Sequence, residues 1–410
     1  MSEEFQLKPV SFSPEVLARI APELSLQRHL SVGVRPCLRS FQEFKSVQIN
    51  PQLDSINRYT SNQGISSKST VLGSSNIKCG NTIIFCTITG GFIETLLPND
   101  EADENVKEYE KIYENSEKQE NNQQDDSLSN FRTVYPIIEI ERGRTGAPTD
   151  EEMIISQTLH DTLLNSKILP KESLEIDLGL KTVDKDNNEI IIYPNESKDI
   201  DSSLFQFPRK YSFVLYASIQ VFSRSGPILD AAWLALMIAL KSTKLPCVYF
   251  DEKNSNLLND ISSLSSKKSV KTGVVNAKSG SQIICDPTKS HDLKLNNSDL
   301  YTTTIGLIEL DKDFSVEIED VENNEDFKAL SVDKHTRNEG EPILLCDIEG
   351  DAEENAIGSR VVVIPDINTE DDDNLVSVTI IGGGSKVTKQ SIQNSIGLAK
   401  LRSKNLQQQS

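Results

Sequence analysis

Residues of the kinds that hold metals or act as activated nucleophiles are scarce in this sequence. Its 410 residues include four histidines, at 29, 160, 291 and 335, and six cysteines, at 37, 79, 86, 247, 285 and 346, with no CxxC pair. Histidines and cysteines this dispersed argue against a zinc site. Several cysteines stand in apolar runs such as IIFCTI and SQIICDP, where buried, reduced thiols of a cytosolic or nuclear protein are expected. Walker, GxGxxG, HExxH and GxSxG motifs are all missing. No run approaches the roughly 20 apolar residues of a membrane span. The opening MSEEFQLKPV lacks the apolar core of a signal peptide. The expectation is a soluble protein with no metal, no cofactor and no membrane contact.

Two absences are local. SRSGPILDAAW sets a glycine turn between the apolar run SFVLYASIQVF and a helix, a geometry that grips phosphate through backbone N–H groups. Yet no basic residue occurs from Pro227 to Leu240, and no arginine from Asp150 to Asn165.

Acidic charge, in contrast, is abundant and clustered. The net charge is −20, with −8 in residues 99–126, −7 in 313–326, −5 in 347–354 and −5 in 366–373. The rest of the chain is therefore slightly basic, and the total does not exclude a nucleic-acid partner. Blocks of this kind are expected to be solvated loops.

The chain between the acidic blocks reads as alternating strands and helices. SPEVLARIAPELSLQ (13–27) starts as a helix at Ser-Pro and spaces Val16, Leu17 and Ile20 along one face. GSSNIKCGNTIIFCTITG (73–90) reads as a hairpin turning at KCGN. Its first twelve residues share Gly, Asn, Lys, Gly, Ile and Ile, in register, with GVVNAKSGSQII (273–284), which suggests an internal duplication. A strand in RTVYPIIEIE precedes a helix at 150–165, and one in VSVTIIGGG precedes a helix at 388–402, with Asp150 and Thr388 as expected N-caps. Strand 211–222 and the apolar helix 228–241 lie between the halves, the helix too apolar to be anything but buried. The expected fold class is α/β, two related halves with long acidic insertions.

Three motifs carry candidate chemistry. GGGSK (382–386) permits either an anion nest or a tight strand-to-helix turn, the turn being the commoner use of such glycines. ERGRTG (141–146) places Arg142 and Arg144 on one loop as candidate RNA contacts. CDPTKSHD places Asp286 and Asp292 six residues apart, a spacing open to acid–base or metal chemistry and also to chance.

In order, VRPCLRSFQEFK, GSSNIKCGNTIIF, SRSGPILDAAW, CDPTKSHD and GGGSKVTKQSI resemble the RNase PH family across nearly the whole chain. The resemblance implies a duplicated βαβ fold of the ribosomal protein S5 domain 2-like type. It divides the chain into an N-terminal helical extension (1–30), an RNase PH-like domain (31–402) with insertions near 99–130, 313–345 and 366–374, and a polar tail (403–410). Active members cleave RNA from its 3′ end with phosphate as the attacking group. They hold that phosphate with a Thr-Arg pair after the glycine turn, where this chain has Ile228 and Leu229. They carry arginines before and within the helix that follows their RNA-binding loop, where this chain has TDEE (149–152). The family's Asp-Gly in RPDGR is replaced by Cys37 and Leu38. Asp286 and Asp292 match the family's acid pair. Attack of one anion on another needs positive charge to offset repulsion. The resemblance therefore implies a non-catalytic subunit of the RNA exosome ring, with no catalytic residue and no metal, acting in 3′-to-5′ processing and decay of ribosomal and other RNA. Its expected partners are other RNase PH-like ring subunits, an S1/KH cap subunit, a separate 3′ exonuclease and RNA threaded through the ring. The expected locations are nucleus, nucleolus and cytoplasm. The competing expectation is a phosphate-dependent 3′-to-5′ exoribonuclease using Asp286 and Asp292.

Overall fold

The computed structural model describes residues 12–13, 16, 19–50, 71–95, 130–143, 146–183, 189–194, 210–250, 283–310, 342–366 and 375–409. Helix α1 (Pro22–Val32) is followed by β1 (Val47–Asn50), β2 (Val71–Cys79), β3 (Thr82–Thr95), β4 (Phe131–Arg132), β5 (Tyr135–Ile140) and α2 (Asp150–Asn165). Then come β6 (Leu169–Pro170), β7 (Glu175–Ile176), β8 (Leu178–Val183), β9 (Glu189–Ile192), β10 (Lys210–Ser223), α3 (Leu229–Lys241), β11 (Lys244–Phe250) and β12 (Ile283–Asp292). The last elements are β13 (Thr303–Ile308), β14 (Ile343–Cys346), α4 (Gly350–Ala356), β15 (Ser359–Pro365), β16 (Leu375–Ile381) and α5 (Lys389–Gln407).

The first-half sheet has the order β1-β2-β3-β10-β5, with β7 also on β10, and β5 runs parallel to β10. Alternation decides its faces: along β10, Phe213, Leu215, Ala217, Ile219 and Val221 are buried while Tyr216 and Phe222 are exposed. The buried face packs on α3, whose residues from Ala232 to Leu240 are all buried and whose Trp233 Nε1 donates to Leu300 O at 2.8 Å. The second-half sheet has the order β14-β13-β15-β16. All of β13 is buried, because Ile305 and Leu307 pack towards Ala399 of α5 while Ile308 joins Leu26 and Leu30 of α1. A further sheet, β12-β11-β8-β9, completes the mixed α/β architecture.

Several expectations need correction. The N-terminal helix is broken at Ala21, because a proline at 22 cannot donate to a preceding turn, and Pro22 instead opens α1. Val16 and Ile20 are exposed; Leu26 and Leu30 supply the packing, so α1 crosses the expected boundary at residue 30. The expected tail at 403–410 begins inside a helix that runs to Gln407. Ser391, Ser395, Ala399 and Ser403 recur every fourth residue on its buried face, small side chains that let α5 lie close to the sheet, and Leu406 joins the main core. The insertion expected to end at 345 ends sooner, since Ile343–Cys346 is a buried strand. Helix α2 is capped by Thr149 rather than Asp150.

A further correction concerns charge. Residues 347–354 form no solvated loop. Glu353 is fully buried against Arg35, Glu349 pairs with Arg39, Glu354 with Arg224 and Asp347 with Arg402. Among the cysteines Cys86 and Cys346 are buried as expected, but Cys285 is exposed, because alternation along β12 turns Asp286 inward. Most of the second repeat copy (273–282) and the block 99–126 lie outside the described residues.

Candidate functional site at the glycine turn

The turn joins the end of β10 to the start of α3, and each of its residues is held from within. Gly226 has φ +120°, and a Cβ there would sit 2.4 Å from Ile348 O, so only glycine fits this left-handed approach to the neighbouring loop. Lys45 Nζ donates to Ser225 O and to Ile348 O, both at 3.1 Å. Ser225 N donates to Thr82 Oγ1 at 3.2 Å. Ile228 is buried, and Leu229 packs against the main core. Asp230 accepts from Thr304 N at 2.7 Å and from Thr304 Oγ1 at 2.9 Å. Burial, and next the charge of Asp347, push the Asp230 carboxyl above its ordinary pKa. The space beside the turn is about 30 Å³, lined by Lys45, Thr82, Pro227, Asp230 and Thr304 among others, the scale of a water molecule or two.

Basic groups do reach this corner. Arg224 precedes the turn and pairs through Nη1 with Glu151 Oε2 at 2.7 Å and through Nη2 with Glu354 Oε1. Arg142 pairs with the same Glu151 oxygen at 3.6 Å and donates to Thr149 Oγ1 at 3.4 Å. Burial works against the Arg224 charge, but Glu354 and Glu151 outweigh it and hold the guanidinium above its ordinary pKa. The TDEE stretch thus has two distinct uses. Glu151 faces the arginines, whereas Glu152 accepts from Thr149 N at 2.6 Å and from Ile140 N at 2.8 Å, tying the start of α2 to the end of β5.

The GGGSK turn is filled too. Gly383 N, Gly384 N and Ser385 N all point at Ser359 Oγ, at 3.3, 3.1 and 2.9 Å. This is nest geometry with a buried serine hydroxyl as its occupant. Gly383 also meets Gly358 backbone to backbone, a contact no larger residue permits.

The RNase PH family model, described as 3′ exoribonuclease family, domain 1, matches residues 55–246. That span is similar to the first domain of the RNase PH family. It contains the hairpin β2–β3, the α2 start, the glycine turn and α3. The chain is also similar to the exosome complex component rrp43 of Schizosaccharomyces pombe, 26% identical over 251 residues, 60% of this chain and 66% of that protein. Its fold is that of a subunit of the Archaeoglobus fulgidus exosome solved with RNA bound to the active site, with TM-score 0.50, 12% identity, and 96% and 98% of the two chains covered.

Within this RNase PH framework the acid pair is not assembled at the turn. Asp286 is buried on β12 and accepts from the Tyr193 hydroxyl at 2.8 Å. Asp292 is exposed at the far end of the same strand, opposite Lys244, just past the C-terminal end of α3. The glycine turn lies at the N-terminal end of that 13-residue helix, about 20 Å away along its axis. Arg142 stands at the site, and Arg144 lies outside the described residues. Sequence reading missed Lys45, Arg224, Glu151 and Glu354 as one cluster, since their only sequence signal was the TDEE stretch and the acidic run 347–354.

Proposed function

We propose that this chain is a non-catalytic structural subunit of an exosome core ring, supporting 3′-to-5′ RNA processing and decay in nucleus, nucleolus and cytoplasm. The observation that carries the reading is the state of the glycine turn: its arginine is neutralised by two carboxylates and its helix begins with Ile228 and Leu229. Phosphorolysis needs positive charge free to receive phosphate at this place.

Ring membership is supported by two edges that are open among the described residues, one in each half. Strand β5 ends the first sheet and exposes Tyr135 and Ile137 beside Met153 and Ile154 of α2, around a groove of about 390 Å³. Strand β16 ends the second-half sheet and exposes Ile380 and Ile381, with Leu401 exposed on α5. Two different apolar edges on one subunit suit head-to-tail contacts that close into a ring, and pairing removes the hazard of an unpaired strand edge. The partners in this reading are sibling ring subunits, an S1/KH cap, a separate 3′ exonuclease, and RNA passing through the ring near Arg142.

The test is to purify the chain from cells under high salt and assay the complex with 3′-labelled RNA and phosphate. Stoichiometric RNase PH-like and S1/KH proteins, with no phosphate-dependent release of nucleoside diphosphates that Asp286→Ala abolishes, are expected. Such release, or a chain that purifies alone, overturns the reading.

A further inference from the structure

At both the glycine turn and the GGGSK turn, the donor groups that give the look of an anion site already have acceptors from the chain itself. The nest at Gly383–Ser385 holds the Ser359 hydroxyl. The Lys45 ammonium holds two carbonyl oxygens. The guanidinium groups differ from these in one respect: besides Gly226 O and Thr149 Oγ1 they hold carboxylates, and those carboxylates are partly open to solvent. Side-chain exposure is 27% for Arg224, 31% for Arg142, 37% for Glu151 and 22% for Glu354.

We propose that Glu151 and Glu354 are built-in anions occupying the seat between Arg142 and Arg224, and that removing them opens this seat to inorganic phosphate. The geometry supplies the parts. Arg224 places its two terminal nitrogens on two different carboxylates, one from the first turn of α2 and one from α4, so it is gripped from both halves of the molecule. Glu151 lies between the two arginines, its Oε2 shared by Arg224 and Arg142, as a phosphate oxygen shares neighbouring guanidinium groups. The two arginines and two glutamates sum to no net charge, so in the native chain nothing is left to attract a third anion. The other nearby acids are already engaged: Glu152 by two backbone N–H groups and Glu349 by Arg39. Removing Glu151 and Glu354 therefore leaves Arg224 without a carboxylate partner and Arg142 with only the nearby charge of Glu152. Alanine removes both the charge and the bulk that fills the seat, whereas glutamine would leave it filled.

The inference deepens the non-catalytic reading of the turn, by naming what closes it. The experiment uses the full chain with Glu151→Ala and Glu354→Ala combined, titrated calorimetrically with inorganic phosphate at low ionic strength, with melting curves to verify folding. The double variant is expected to bind phosphate at least about tenfold more tightly than the native chain, with affinity falling as chloride is added. Adding Arg224→Gln is expected to abolish the gain. Where the pair does not fold, each single substitution is expected to give a smaller gain of the same kind. A folded variant with phosphate affinity within about twofold of the native chain overturns the inference. So does a gain that survives Arg224→Gln. Either result leaves the non-catalytic reading standing, since that reading is tested separately by phosphate-dependent RNA cleavage and by copurification of the native chain.

Discussion

Arg35 and Glu353, 318 positions apart, form a fully buried forked ion pair: Nη2 meets Oε2 at 2.6 Å and Nε meets Oε1 at 2.9 Å. The remaining donors of Arg35 reach Cys346 O at 2.7 Å and Asp347 O at 3.2 Å, and Glu353 also accepts from Glu349 N at 2.9 Å. Burial disfavours the Arg35 charge, but Glu353 more than offsets it and the guanidinium is held above its ordinary pKa. The pair joins the segment after α1 to α4, and through α4 to the arginine at the glycine turn.

Breaking one side of this pair strands a buried charge. Arg35→Met is expected to cost about 3–5 kcal/mol in chemical denaturation, because Glu353 keeps its burial and loses its partner. The combined Arg35→Met and Glu353→Leu variant should regain much of that loss. A cost below about 1 kcal/mol for Arg35→Met would show that the loop is held by something else.

Leu38 stands at φ +61° and is 75% exposed, so it bears left-handed strain with little packing in return. Strain of about 1–2 kcal/mol for a residue with a Cβ is partly offset by the extra chain entropy that glycine loses, about 0.5–1 kcal/mol. Leu38→Gly should accordingly raise stability by about 0.5–1 kcal/mol, read as a shift of the denaturation midpoint. This is where the RNase PH family pattern has its own glycine. Unchanged or lowered stability would mean that the Leu38 side chain serves an interaction.

Glu152 predicts a pH dependence. The Thr149 N–H, followed by that of Ile140 and other contacts, holds its carboxyl below the usual carboxylate pKa. A depressed folded-state pKa adds stability above the unfolded value and loses it as pH falls through the folded one. The native chain should therefore exceed Glu152→Gln in stability near neutrality. The gap should close as pH drops from roughly 5 downward. Melting curves across that range check it, and a gap that does not change with pH removes the carboxylate from the explanation.

Periodicity made the elements legible. The apolar run at 228–241 read as a buried helix and is one, and KCGN read as a hairpin turn and closes β2 onto β3 at Gly80, φ +58°. Both signals are local: a helix face or a turn conformation depends on residues within a few positions. The same locality misled at residues 347–354, where five acids in eight read as a solvated run. Their arginine partners are residues 35, 39, 224 and 402, none of them near in sequence.

Composition and pattern by themselves determined the α/β class, many of the strand and helix positions, the RNase PH likeness and the lack of basic residues from Pro227 to Leu240. Tertiary structure alone decided which charges are solvated and which are spent on one another. It brought Glu151 and Glu354 onto Arg224, drew Glu353 into the core, and left Asp286 and Asp292 away from the turn. Backbone conformation follows from neighbouring residues, but the state of a charge depends on what lies within a few ångströms of it, and only the folded chain sets that distance.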